Sequence, residues 1–411
     1  MTDLHARLRE ALNQPLREGG GARIESVTEL SDLSGLGGHW FRSPHGPGYV
    51  VESVYEPGHV HGEIALHRSL SLDLARLAGQ IRDPRLAECD PRRLLYVDTE
   101  TTGLGGAGTM VFLAGIARFE GSFLRLRQYL LPAPQYEGGL LGGLAEELAT
   151  AAALVSYNGK SFDLPLLESR YILARMTPAW RGLPHLDLLH PNRRLFRGSF
   201  DSHRLVRMEV ELLGFEREDD CPSAEVPERY FRFQRSSDPT HILPVLRHNA
   251  WDILSLVALA AHLASVCDSS DYPLQTARAA EYAGDYAGAA RAFATAAESA
   301  PARGQRVEAM EHAARCHAKA GDHREAARWW RRLIEQPGNR RLTPYVELAK
   351  IEEHHNHDVP AAYALIDEAH VLLVRGIAQP GRASGEAGFA ALEHRRERLR
   401  RKLTQRATAV S

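Results

Sequence analysis

An apolar run from Leu94 to Val97 ends in two carboxylates one residue apart, within "LLYVDTETTGLGG", Leu94 to Gly106. Alternate residues of a strand share a face, so Asp98 and Glu100 project together. Two like charges at the tip of a buried-looking strand repel each other and lose hydration. A fold built on this strand must supply a cation there, or use the acids to cap a turn. This stretch alone leaves both readings open.

Two later stretches narrow the choice. "SYNGKSFDLPLL", Ser156 to Leu167, follows a short apolar strand, turns at "YNG" and sets Asn158 and Asp163 at the start of a helix. Aspartate there also suits an ordinary helix N-terminus. In "RHNAWDILSL", Arg247 to Leu256, helical spacing puts His248 and Asp252 on one face. Four carboxylates and one imidazole make chemical sense together. Magnesium and manganese prefer carboxylate oxygens. Two such ions about 4 Å apart stabilise the attacking and leaving oxygens of a phosphodiester. Histidine, with an ordinary pKa of about 6.5, suits the proton of the attacking water. The expected site is Asp98, Glu100, Asp163 and Asp252 as ligands of two Mg2+ or Mn2+ ions, with His248 as general base.

The 411 residues predict two or three units. Residues 1–90 open with a short helical pattern and read as an extension partly packed on the next unit. "GYVVESVYEPGHVHG", Gly48 to Gly62, predicts a strand and then a turn with solvated His59 and His61. Residues 91–268 alternate strand and helix signals. They predict an α/β domain: a mixed sheet flanked by helices, with a hairpin around Glu120-Gly121. In residues 272–376, "YAGDYAGAARAF" recurs as "KAGDHREAARWW" and, more weakly, as "HNHDVPAAYALI". Asp285, Asp322 and Asp358 lie 37 and 36 residues apart, the mark of stacked helix-turn-helix repeats of tetratricopeptide type. Residues 377–411 predict a basic, solvated terminal helix.

Lysine plus arginine (50) nearly balance aspartate plus glutamate (52), so any basic surface is local. The four cysteines are scattered, which suggests neither a disulfide framework nor a zinc knuckle and fits a reducing compartment. The N-terminus lacks an apolar signal core, and the greasy segment Leu254 to Val266 is too short to span a bilayer. A cytoplasmic protein without a membrane partner is expected.

The three acid-bearing motifs, in this order, resemble the DEDD group of RNase H-like 3′→5′ exonucleases. "DTETTGL" is similar to the first motif of the DnaQ type, and "NGKSFD" to the Asn-x-x-x-Phe-Asp motif of family B polymerase exonuclease domains. The run through "RQYLLP", "LPHLDLLHPNRRLF", "EREDDCPSAEVPERYF" and "HNAWDILSL" resembles the YprB-like ribonuclease H-like domain family. The resemblance covers about residues 91–268. It implies a sheet whose first three strands are antiparallel, followed by parallel strands, and often tetratricopeptide-like repeats downstream. It also implies that Asp98 bridges both ions, that Glu100 and Asp252 serve the ion holding the water, and that Asp163 serves the other. His248 precedes Asp252 by four residues, where many histidine-type members have five.

For nucleic acid, the expected contacts are Thr101, Asn158, Arg193, Arg194 and Arg197, with Arg204 and Arg207 extending the basic rim. A solvated basic loop explains the same arginines. Tyr157 and Phe162 are candidates for stacking on a base, with core packing the better expectation for Phe162. Asp187 reads as a strand-end residue or a supporting carboxylate, and "EREDDC", Glu216 to Cys221, has no assigned purpose. These features favour a 3′→5′ exonuclease acting on a single-stranded 3′ end. An inactive nucleic-acid-binding or scaffold protein, its repeats recruiting partners, and a structure-specific endonuclease are the alternatives.

Overall fold

The computed structural model describes residues 33–103, 108–178, 180–378 and 385–410. The helical pattern expected at the N-terminus, and part of the glycine-rich turn after Glu100, lie outside the described residues. The strands are β1 (His39–Ser43), β2 (Gly46–Tyr55), β3 (Val60–His61), β4 (Ile64–Ala65), β5 (Leu94–Thr101), β6 (Val111–Glu120), β7 (Phe123–Leu130), β8 (Ala153–Ser156) and β9 (His185–Asp187). Seven form one sheet in the order β1-β2-β7-β6-β5-β8-β9, while β3 and β4 make a separate short pair. The strands from β5 to β7 are antiparallel neighbours, and β8 and β9 add in parallel beside β5. This is the expected mixed sheet. Residues 39–55 belong to it as well, because β2 pairs antiparallel with β7.

Alternation along β5 splits the core in two. Leu94 and Tyr96 join one apolar cluster with Leu74 and Leu77 of helix Leu74–Ile81 and with the long helix Leu243–Val266. Leu95 and Val97 join another, with Leu140 and Leu144 of helix Glu137–Ala149 and Tyr171 of helix Asp163–Leu173. The same parity carries Asp98 and Glu100 onto the face that the long helix covers. That helix runs well beyond the greasy segment Leu254 to Val266. The stretch Pro239–Val266 is long and apolar enough to cross a membrane, so length does not exclude a span; instead, 78% of its apolar window is buried in the fold, as in a core helix.

The C-terminal helices follow in pairs: Pro273–Ala283 with Tyr286–Ser299, Arg303–Lys319 with His323–Ile334, and Thr343–His354 with Val359–Val374. The recurring aspartates cap the second helix of each pair. Asp285, Asp322 and Asp358 accept the amides of Gly288, Glu325 and Ala361 at 2.8, 3.1 and 2.9 Å. Buried Ala289, Ala290, Ala326, Ala327 and Ala362 then let neighbouring helices pack closely. The first of these helices is also part of the sheet domain's packing: Ala279 lies in its core, Arg278 donates to the Leu195 carbonyl at 2.7 Å, and Gln80 donates to the Ala279 carbonyl at 3.1 Å.

The basic terminal helix, Gly385–Val410, is docked rather than solvated. Arg398 and Lys402 reach the buried Glu353 carboxylate at 2.5 and 2.7 Å. Burial opposes ionisation there, but these hydrogen bonds win and hold the carboxyl at about 2.

Candidate functional site

The acid motifs meet at the C-terminal ends of parallel strands, the usual place for ligands in open α/β sheets. Asp98 and Glu100 leave the tip of β5, and a register shift falls between Glu100 and Thr101. Asp98 Oδ2 accepts from Asn249 Nδ2 at 2.9 Å. Space for that contact comes from Gly115, opposite Asp98 on β6: a Cβ there would lie 2.2 Å from Asn249 Oδ1.

Asp163 opens its helix beside the same strand. Its Oδ1 accepts from the Thr99 amide at 3.1 Å and from Thr99 Oγ1 at 2.5 Å. The preceding turn is fixed by Asp187, at the end of β9. That fully buried carboxylate takes the amides of Asn158 and Lys160 at 2.7 and 3.1 Å. Asn158 has φ 67°, a left-handed conformation that asparagine tolerates. A side chain at Gly159 would collide with Ser156 Oγ, 2.4 Å from the position of its Cβ. Asp187 is thus the supporting carboxylate of this loop, not an incidental strand end.

The long helix brings His248, Asn249 and Asp252 from the covering face. His248 Nε2 lies 3.5 Å from Asp252 Oδ2 and 3.9 Å from Glu100 Oε1. Among the described residues, Glu100, His248 and Asp252 are the group whose ligand atoms all lie within 4.8 Å of one another.

The unassigned "EREDDC" loop supplies two more members. Arg217, its side chain 3% exposed, pairs with Asp252 and lies 2.6 Å from Glu209 and 3.2 Å from Asp220. Asp220 Oδ1 lies 2.7 Å from His248 Nδ1. Behind them, Ser255 donates to Glu209 at 2.6 Å and contacts His61 Nε2 at 2.7 Å. His61 is therefore not a solvated turn residue. It is 3% exposed, packed on Phe215, and burial lowers its imidazole pKa to about 3.

The cluster is crowded with acids. Burial pushes Asp98 and Glu100 well above the usual carboxylate range, and Asp252 and Asp163 add to both shifts. Burial raises Asp163 to about 6, although hydrogen bonds from Thr99 pull it down. Arg217 is the cation seated among these acids, and it is shared with buried Glu209. Oxygen donors crowded in this way fit a hard divalent cation.

The expected nucleic-acid contacts divide. Arg193 is exposed. Arg194 lies over the Tyr282 ring at 3.7 Å and donates to the Gln80 carbonyl, so it is engaged at the junction with the C-terminal helices. Arg197 pairs with Glu308 at 3.1 Å but stays exposed. Thr101 Oγ1 closes its own turn by donating to the Gly103 carbonyl at 2.7 Å. The Tyr157 hydroxyl donates to the His203 carbonyl at 2.5 Å, which fixes the ring. Phe162 reverses its expectation: it is 58% exposed beside Asp163, because the turn points it away from the helix's packed face.

Arg217, Asp220 and Asn249 escaped the sequence reading. One signal was available, an arginine among acids in a loop that acidic repulsion alone would not favour.

Residues 95–264 match the family model of the RNase H superfamily. A relative, the "Uncharacterized protein YprB" of Bacillus subtilis (strain 168), is 41% identical over 172 residues, which cover 41% of each chain. The segment is an RNase H-like domain, as its motifs implied, and the likeness spans less than half of the relative.

Proposed function

We propose that the RNase H-like domain of this chain is a metal-dependent nuclease that removes nucleotides from the 3′ end of a single strand. The observation that carries this reading is the convergence of Asp98, Glu100, Asp163 and Asp252 with His248 into one acidic cluster. Asp98, Glu100, Asp163 and Asp252 would hold two Mg2+ or Mn2+ ions. When bound, such ions polarise a phosphodiester and acidify a water. His248 takes the water's proton at Nε2. Exposed Arg193, Arg204 and Arg207 draw in the phosphate backbone, and Phe162 offers a terminal base a face to stack on. The helical pairs recruit a protein partner. Four free cysteines suit a reducing cytoplasm.

End-labelled single-stranded RNA and DNA, incubated with magnesium or manganese, test the reading. A ladder shortening from the 3′ end is expected. Internal cuts would replace it with an endonuclease, and tight binding without cleavage would make the domain a binding platform.

A further inference from the structure

The loop Glu216 to Cys221 touches the cluster through two side chains whose contacts bear on the ring of His248. A neutral imidazole carries one proton, and its two nitrogens then play opposite parts. Nδ1 has two neighbours with opposite demands. Asp220 Oδ1 stands 2.7 Å away and, when ionised, only accepts, whereas Arg217 Nη1 stands 3.1 Å away and only donates. Arg217 has other acceptors: Glu209 takes two of its hydrogen bonds at 2.6 and 2.7 Å, Asp252 takes another, and Asp220 Oδ2 lies 3.2 Å from Nη1. The carboxylate contact is the shorter at Nδ1. It is also shorter than the 3.5 and 3.9 Å separations of Nε2 from Asp252 and Glu100. The ring's single proton therefore belongs on Nδ1.

We infer that Asp220, itself aligned by Arg217, is a positioning residue that holds His248 with its proton on Nδ1 and its lone pair on Nε2. That lone pair is on the side of Glu100 and Asp252, where a base must be. Arg217 fixes the other end of the device, since one guanidinium ties Asp220 and Asp252 to buried Glu209. His61 and Ser255 brace Glu209 from behind. Asp220 thus acts through another residue and lies outside the group formed by Glu100, His248 and Asp252. The catalytic consequence rests on the nuclease reading, but the proton's position does not.

Asp220→Asn is the discriminating substitution. Arg217 can only donate, so it draws the new amide's oxygen, and the amide NH2 is left facing Nδ1. The ring must then accept at Nδ1 and move its proton to Nε2. Nitrogen-15 spectra of the full-length, histidine-labelled protein, recorded above the imidazole titration range, read this directly; the His248 signal is the one lost in His248→Gln. The wild type should show the Nδ1-H form and Asp220→Asn the Nε2-H form, with thermal melting confirming that both are folded.

Cleavage by Asp220→Asn should fall about a hundredfold or more in kcat with little change in KM, the loss expected of a disabled general base. Magnesium affinity, measured by calorimetry, should stay within about threefold of wild type, well inside the tenfold loss that marks a disturbed metal site. A wild-type ring protonated at Nε2 would overturn the inference, as would undiminished kcat in the variant. So would a loss of magnesium affinity as large as that of Asp252→Asn, which would make Asp220 a ligand. A wild type that cleaves nothing refutes the nuclease reading instead, and the spectra still decide where the proton lies.

Discussion

Asp98 concentrates the conflict between stability and function in this site. Burial and three neighbouring acids disfavour its charge, and among the described residues the side chain that hydrogen-bonds it is the neutral amide of Asn249. Asp98→Asn removes the repulsion and also the charge a divalent ion needs. The variant should lose metal-dependent cleavage to background, while the metal-free protein melts a few degrees higher than wild type. Cleavage assays and thermal melts made on the same samples check both halves; retained turnover would end the assigned role. The raised carboxyls also set the sign of a pH effect. Asp163, at about 6 in the fold against 3.8 as its ordinary value, takes up its proton more readily when folded. Its ionisation therefore costs stability as pH rises through 6, and a divalent ion must displace that proton below it. The rise in melting temperature on adding magnesium or manganese should be large above neutrality and shrink as pH falls below 6. A shift independent of pH would show that these acids do not hold the ion.

At the scale of elements, β5, the hairpin of β6 and β7, and the two helices bearing Asp163 and Asp252 were all legible. Each carries an apolar run or a helical spacing of its own, and turn residues stand at the ends. What periodicity could not supply was the pairing of β6 with the long helix. Gly115 stands opposite Asp98 so that Asn249 can reach across, and nothing local to Gly115 announces that role. Gly115→Ala would press a methyl into Asn249 and should cost about 1–3 kcal/mol, the usual range for overpacking. Because Asn249 holds Asp98, metal affinity should fall about 10–100-fold as well. Denaturant melts and calorimetry measure the two effects; stability lost with metal affinity intact would detach Asn249 from the site. Phe162 and His61 were misjudged for a related reason. Local sequence says which residues turn, but not whether the turn's far side meets water or another helix.

For the whole molecule, the sheet domain and the C-terminal helices share an interface rather than a linker. Arg278 bridges the Leu195 carbonyl and Glu308, and Ala279 sits in the sheet domain's own core. Ending the chain after residue 300 keeps the first helical pair and should leave basal cleavage and most of the melting temperature. Ending it after residue 268 strips that core and should lower the melting temperature by several degrees. Equal melting of the two truncations would show that the first pair does not support the domain.

Legible in the sequence were the mixed sheet, the recurring helices and the four acids and histidine that we propose as the site. Those features are written in spacing: alternation on a strand, a four-residue step on a helix, a recurrence near 37 residues. Only the tertiary structure decided who stands beside the acids. Arg217 and Asp220 come from one loop, Asn249 from the long helix and Asp187 from the end of β9, and a buried charge chooses its partner by distance in space. It likewise decided that Arg194 faces a tyrosine ring instead of a phosphate path, because packing between two domains commits a side chain that composition alone would leave free.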